Sequence, residues 1–306
     1  MGVFASLPLP LLLLLLACSA VAGERPSVVI KVSDDTAVEV SLMAPAERIV
    51  SLSPNLTEVL FHLGVGDKIV GVDEYSLYPP AAQDIPRVNN HAAANFELIL
   101  ALKPDLVVAW QSGNGMQMIG RLRELGLTVF AVETEKIGAI PPLYRRLGEL
   151  LGIPAKAEAL AREFSDQINA LSETYRGRQP VTVFYQIWSD PLMTLNGQHL
   201  VSDVIRLCGG RNIFHDAVPI APSVGIEGVI AADPEVIVSS GKLADLDRWR
   251  SQWLRWSGIR AVANRHLYLV PPDLMQRQSP RLLEGVEYLC DYLQNARASA
   301  ATEVLR

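Results

Sequence analysis

No long run of Lys or Arg occurs in this sequence of 306 residues, and its formal net charge is -6. Phosphate backbones are held by clustered cations, so the composition argues against nucleic acid as a partner. The chain also lacks HExxH, CxxC, GxSxG and a P-loop. No local motif therefore supplies a zinc site, a redox dithiol, a serine nucleophile or a phosphate cradle. Gly64-Val65-Gly66 is not a dinucleotide fingerprint, because Ile69 stands where a third Gly is needed. The five His residues (His62, His91, His199, His215 and His266) are scattered, and their spacing predicts no metal site. Low-complexity tracts are missing too.

Long apolar runs are equally absent. The longest block, Leu7 to Leu16, is broken by Pro8 and Pro10. It falls short of the roughly 20 residues that span a bilayer. Ala20-Val21-Ala22 supplies a small-x-small cleavage site before Gly23, so residues 1–22 read as an export signal, although Met1 to Ser6 carry no cation. Leu15-Leu16-Ala17-Cys18 also resembles a lipobox, which would place a lipid on Cys18. Both routes lead out of the cytoplasm. Cysteine is scarce, with Cys18, Cys208 and Cys290 alone. Once Cys18 is removed or capped, Cys208 and Cys290 remain, either bridged in an oxidising compartment or as two separate buried thiols.

What is present is a repeat. Phe96-Glu97-Leu98-Ile99-Leu100-Ala101-Leu102-Lys103-Pro104-Asp105-Leu106-Val107-Val108 returns 130 residues later as Ile226-Glu227-Gly228-Val229-Ile230-Ala231-Ala232-Asp233-Pro234-Glu235-Val236-Ile237-Val238. In each copy a Glu opens a short apolar helix and a Pro seven residues later ends it. An acidic residue and an apolar strand follow. Two copies this far apart predict two similar lobes, each carrying one Glu at a matching place. Glu97 and Glu227 are therefore the first functional lead, set against the ordinary gain of an acid near a positive helix start.

The rest of the pattern agrees. Residues 27–44 alternate as a hairpin around Asp34-Asp35. Strands at 48–52, 70–72, 106–109 and 128–132 alternate with helices, which indicates a parallel α/β lobe over 23–140. Ser53 or Asn55 caps the first helix, with Glu58 behind it. Residues 141–178 are helical throughout, interrupted at Gly152-Ile153-Pro154, and the helix of about 20 residues from Ala155 reads as a strut. A second α/β lobe follows over 179–306, with strands at 181–186 and 267–270, helices at 200–207 and 280–296, and a Trp-rich helical stretch at 246–262. An exported two-lobed α/β chain without a catalytic motif points to binding, not catalysis. A cleft between lobes is a natural small-molecule site.

Ile49-Val50-Ser51-Leu52-Ser53-Pro54-Asn55-Leu56-Thr57-Glu58 and Ala101-Leu102-Lys103-Pro104-Asp105-Leu106-Val107 resemble the helical-backbone substrate-binding proteins of ABC importers. Tyr75-Ser76-Leu77-Tyr78-Pro79-Pro80, Ala109-Trp110-Gln111-Ser112-Gly113-Asn114, Cys208-Gly209-Gly210-Arg211-Asn212-Ile213-Phe214 and Asp273 with Arg277-Gln278-Ser279-Pro280-Arg281 are similar to the cobalamin-binding members, over roughly 46–293. The resemblance implies two Rossmann-like lobes joined by one long helix, with a corrinoid in the cleft as cargo and no resident cofactor. It also implies a monomer, whose Glu97 and Glu227 dock on Arg residues of a permease dimer. It further implies a Cys208–Cys290 bridge. Tyr75 and Trp110 match aromatic ligand contacts of the first lobe, and Asp273 and Arg277 match polar contacts of the second.

Two departures bear on ligand choice. His91 stands where the family has a Trp, and Pro219-Ile220-Ala221-Pro222 replaces another. Trp188, in a neighbouring loop, can restore stacking, and His91 either faces the ligand or is a polar loop residue. Haem or a ferric siderophore is the alternative cargo. A metal-dependent or corrinoid-processing enzyme would need converging His and carboxylate ligands.

Overall fold

The computed structural model describes residues 1–2, 29–90 and 93–304. The export signal, Cys18 and His91 lie outside the described residues. The chain opens with an antiparallel hairpin, β1 (Ile30–Ser33) and β2 (Glu39–Leu42), in which Val32 faces Val40. Its turn is fixed by Asp34, whose carboxylate accepts from Thr36 and Val38 N–H groups and pairs with Arg123.

The first lobe follows: β3 (Ile49–Ser51), α1 (Pro54–His62), β4 (Ile69–Asp73), β5 (Arg87–Asn89), α2 (Phe96–Ala101), β6 (Leu106–Trp110), α3 (Gln111–Asn114), α4 (Met116–Glu124) and β7 (Val129–Val132). Its five strands are all parallel, in the order β5-β4-β3-β6-β7. Alternation along each strand feeds two cores. Ile49, Leu106, Val108, Phe130 and Val132 face one side, and Val50, Leu52, Val107, Ala109 and Ala131 the other. A strand buried on both faces must read as an unbroken apolar run, which is why these segments are Val- and Ile-rich.

Helices α5 (Ile140–Leu150) and α6 (Pro154–Tyr175) stand between the two sheets in the chain. The break expected at Gly152-Ile153-Pro154 separates them. They pack tightly because Gly148 has no Cβ; one placed there would collide with Ala157. The 22 residues of α6 span about 33 Å at 1.5 Å per residue.

The second lobe contains β8 (Val181–Gln186), β9 (Trp188–Ser189), β10 (Leu192–Met193), α7 (Leu200–Leu207), β11 (Gly210–Asn212), α8 (Ile226–Ala232) and β12 (Val236–Ser240). It continues with α9 (Leu246–Trp253), α10 (Arg260–Ala263), β13 (Leu267–Val270), α11 (Pro272–Met275) and α12 (Leu282–Val304). Its main sheet is parallel, in the order β11-β8-β12-β13. One apolar cluster runs beneath both sheets, from Ile49 and Phe130 through α5 and α6 to Val183, Tyr185 and Leu289. A second-lobe core on the outer face gathers Phe184, Ile237, Trp249 and Trp253.

The expected Trp-rich stretch at 246–262 is not one helix, since a 3-10 turn at Leu254–Trp256 separates α9 from α10. The final helix begins at Leu282, after Ser279-Pro280, and runs on to Val304. Cys208, at the end of α7, is bridged to Cys290 on α12, across 82 residues with Cα atoms 4.7 Å apart. This ties two helices of the same lobe, and a disulfide is typically worth about 2–4 kcal/mol.

The repeat is structural in every part. Lys103 and Asp233 both adopt left-handed backbone, at φ 47° and 43°, and so end α2 and α8 one residue before each Pro. Asp105 and Glu235, the acids after each Pro, then anchor the unit to the lobe's first strand. Asp105 accepts from the N–H groups of Glu47 and Arg48, and Glu235 accepts from the N–H of Thr182. Arg48 and Arg260 donate to the carbonyls of Lys103 and Asp233 respectively.

Candidate functional site

In a parallel α/β sheet the loops at the carboxyl ends of the strands form the binding face, above all where the strand order reverses direction. The first lobe reverses between β3 and β6, and the second between β8 and β12. Trp110 ends β6, and Trp188 opens the loop after β8. The two indoles therefore sit at corresponding switch points of the two lobes. Tyr75 follows β4, while Asp273 and Arg277 follow β13. Each described ligand candidate thus stands at the carboxyl end of a strand in its own sheet or in the segment that follows it.

The first-lobe wall is built from buried polar anchors. Asp73, at the end of β4, accepts from the Tyr75 N–H at 2.8 Å and from Asn89 at 2.8 Å, and burial raises its pKa. This fixes the loop from which Tyr75 stands 45% exposed. Trp110 is half-buried. Its indole N–H donates to Glu133 at 3.1 Å, its backbone N–H donates to Asn114, and Glu133 also accepts from the Ser112 hydroxyl. A Cβ at Gly113 would collide with the Trp110 ring, so glycine there lets the loop fold against the indole.

On the second lobe Trp188 is 63% exposed, with its N–H donated to the Asp190 carbonyl at 2.9 Å. A cavity of about 540 Å³ opens beside it, between the loops after β8 and β12. The Pro219 to Pro222 segment is pinned by Asn196 and Thr194, which donate to Ile220 and Pro222 carbonyls, and it leaves Ile220 exposed.

Asp273 and Arg277 form an ion pair at 2.9 Å. Arg277 also reaches across to the first lobe, where it meets Glu58 of α1 at 3.0 Å. Glu58 does not take the supporting place behind the α1 cap that its spacing predicts. It is 3% exposed, and its Oε1 receives Arg277, with Arg281 3.7 Å away. Ser53 makes no side-chain cap, and Pro54 in the first turn removes one donor that would need one. Asn55 donates to Gln278 at 3.4 Å, and the Arg281 guanidinium lies 4.2 Å over the Tyr78 ring. These contacts join α1 and the Tyr78 loop to residues 277–281. They are invisible in the sequence, because nothing local pairs positions 219 apart.

A second junction lies by α7. Lys136 reaches Asp203 at 3.6 Å and the Gly197 carbonyl at 3.1 Å. His199 caps α7 there, its Nδ1 accepting from the Val201 N–H. Burial and then Lys136 push the His199 pKa down to about 4. Between pH 6.5 and 4 the unfolded chain therefore binds a proton that the folded chain refuses, so stability falls as pH falls through that window. Replacing His199 with Asn, which keeps the cap, will shrink the drop in urea midpoint between about pH 7 and 5. The part due to His62, whose pKa burial also lowers, will persist. An unchanged drop would remove His199 as its source.

Glu97 and Glu227 are both exposed, each in the first turn of its helix. In α2 the cap is supplied by Asn95, which accepts from the Leu98 N–H. Among the described residues, no group of three or more His, Cys, Asp and Glu is placed to hold a metal ion, and no helix is long and apolar enough to cross a membrane.

Comparison with known proteins agrees with this geometry. Residues 49–274 match the family described as "Periplasmic binding protein". A vitamin B12-binding protein of Vibrio cholerae serotype O1 is 39% identical over 255 residues, covering 83% of this chain and 91% of that one. One from Yersinia pestis (strain Pestoides F) is 36% identical over 248 residues, covering 81% and 86%. Among solved structures, the periplasmic vitamin B12 binding protein BtuF of Vibrio cholerae superposes with a TM-score of 0.75 at 38% identity, covering 83% of this chain and 98% of that one. The periplasmic heme-binding protein RhuT from Roseiflexus sp. RS-1 superposes with a TM-score of 0.73 at 25% identity, covering 82% and 99%. Two parallel sheets with their binding loops at the strand ends, a 22-residue helix between them in the chain, and this extent of matching sequence place the protein in the periplasmic binding protein family.

Proposed function

We propose that this chain captures cobalamin or a related corrinoid in the periplasm and delivers it to an ABC importer permease, catalysing nothing itself. The observation that carries the reading is the pair of indoles, Trp110 and Trp188, at matching switch points of the two sheets, in a chain 39% identical to a vitamin B12-binding protein. Residues 23–140 and 179–306 act as the two lobes and 141–178 as their link. Tyr75, Trp110, Trp188 and His91 supply stacking and polar contact, and Asp273 with Arg277 meets the amide fringe of the corrin. Glu97 and Glu227 each present a carboxylate to the permease, where Arg takes it in two-pronged fashion. The protein works as a monomer after its export signal is removed.

Haem is the second reading, because a heme-binding protein shares the fold at 25% identity. Dialysis of the mature chain against equal concentrations of cyanocobalamin and haem separates the two. The expected result is retention of the corrinoid absorption spectrum. Retention of haem alone would replace the first reading with the second.

A further inference from the structure

The amino ends of the second-lobe strands carry a cavity that neither the cargo candidates nor the repeated glutamates use. Its volume is about 480 Å³, and it lies between the start of β8, at Pro180 and Val181, and one face of α12, with Ala296, Arg297, Ala300 and Ala301. Trp188, Asp273 and Arg277 follow the carboxyl ends of strands in the same sheet, so a strand's length, about 20 Å, separates the cavity from them. The room exists because three of those four α12 residues carry only a methyl group.

Arg297 is the polar element. Its Nε donates to the Gln179 carbonyl at 3.1 Å, and its Nη2 to the carbonyls of Cys208 at 2.7 Å and Gly209 at 2.9 Å. Its Nη1 is buried and has no hydrogen-bond partner. Neutral carbonyls thus orient the guanidinium without balancing its charge. Among the described residues no carboxylate pairs with it. Arg178, which donates to Gln294 at 2.8 Å, is likewise without an acid. Both guanidiniums lie against the Tyr175 ring, at 5.3 Å for Arg178 and 5.7 Å for Arg297. Burial, and then Arg178, lower the Arg297 pKa. Glu235, on the cavity wall, is committed to the Thr182 N–H at 2.7 Å and to Arg260 at 3.4 Å. A partly desolvated cation with no counter-charge beside an apolar wall is a costly arrangement unless an anion completes it.

We infer that this cavity binds an amphipathic monoanion, a carboxylate or sulfonate on a short alkyl or aryl body. The head group accepts from Nη1 of Arg297 and supplies the missing charge. The body lies on Pro180, Val181 and the alanine methyls, in a volume within the range of small-molecule sites. No part of this site requires a corrinoid in the cleft.

The test titrates the mature chain with sodium octanoate, with octylammonium chloride, which keeps the body and reverses the charge, and with sodium acetate, which keeps the head alone. Ala300→Glu places a competing carboxylate three residues from Arg297, on the same helix face, and leaves the carbonyl contacts in place. Ala300 is exposed, so this change spares the core. Arg297→Gln removes the charge. Octanoate will bind with a dissociation constant of about 1 mM or lower, the scale of a ligand this small. Each variant will weaken it about tenfold or more, the scale of one charged hydrogen bond. Octylammonium and acetate will bind the wild-type chain far more weakly, and saturating cyanocobalamin will leave octanoate binding unchanged. Absence of octanoate binding, equal binding of octylammonium, an unchanged affinity in Ala300→Glu, or displacement of octanoate by cyanocobalamin overturns the site. None of these results bears on whether the cleft takes a corrinoid.

Discussion

Reversing both charges, Glu97→Lys with Glu227→Lys, will abolish transport and leave ligand affinity unchanged. The two carboxylates open the helices of the repeated unit, one in each lobe, and both are exposed. Among the described residues neither makes an ion pair. A purely local role would be worth about 0.3–1 kcal/mol each through the helix dipole. That is too little to unfold the protein, and Asn95 already caps α2. On the proposed docking, the reversed side chains would meet Arg residues of the permease as like charges, which costs several kcal/mol at an interface. Uptake by cells expressing the double variant, measured beside titration of the purified variant, separates the roles. Normal uptake would refute docking through these residues. Lost affinity would move them into the binding cleft.

Removing Arg277 will destabilise the protein more than removing Arg277 and the Glu58 charge together. Glu58 is 3% exposed, and Arg277 is its partner at 3.0 Å. Breaking a buried pair by deleting one partner costs about 3–5 kcal/mol, because the remaining charge is left in a poor solvent. Arg281 at 3.7 Å compensates in part. Glu58 Oε2 is buried without a hydrogen-bond partner, so the site has little spare solvation. Arg277→Ala should therefore lower the urea midpoint clearly, and Glu58→Gln with Arg277→Ala should recover much of the loss. The pair also spans the lobes, so the single variant should weaken ligand binding along with stability. A double variant no better than the single one would show that Glu58 does not depend on Arg277.

The two-lobed α/β plan is legible in the repeat, because helix, Pro and strand recur with their spacing intact. The apolar runs read as strands at 106–109, 181–186 and the end of the second repeat copy are strands, running Leu106–Trp110, Val181–Gln186 and Val236–Ser240. Strands of two or three residues, such as β9, β10 and β11, carry no periodicity to read. Asp105 and Glu235 are visible as repeated acids, but their role as anchors of the preceding strand needs the sheet register. Glu58 misleads because a carboxylate behind a Ser fits a helix start, while its true partner lies 219 positions away. Gln186 gives no signal at all. A lone Gln at a strand end becomes informative only when two indoles from α9 converge on it.

Calorimetric titration of the purified mature chain with cyanocobalamin tests the central claim most directly. The expected result is one ligand per chain at submicromolar affinity, with a negative heat-capacity change from the aromatic and apolar surface that the cleft covers. No measurable heat over the same range, in a chain that still unfolds cooperatively, would contradict corrinoid capture.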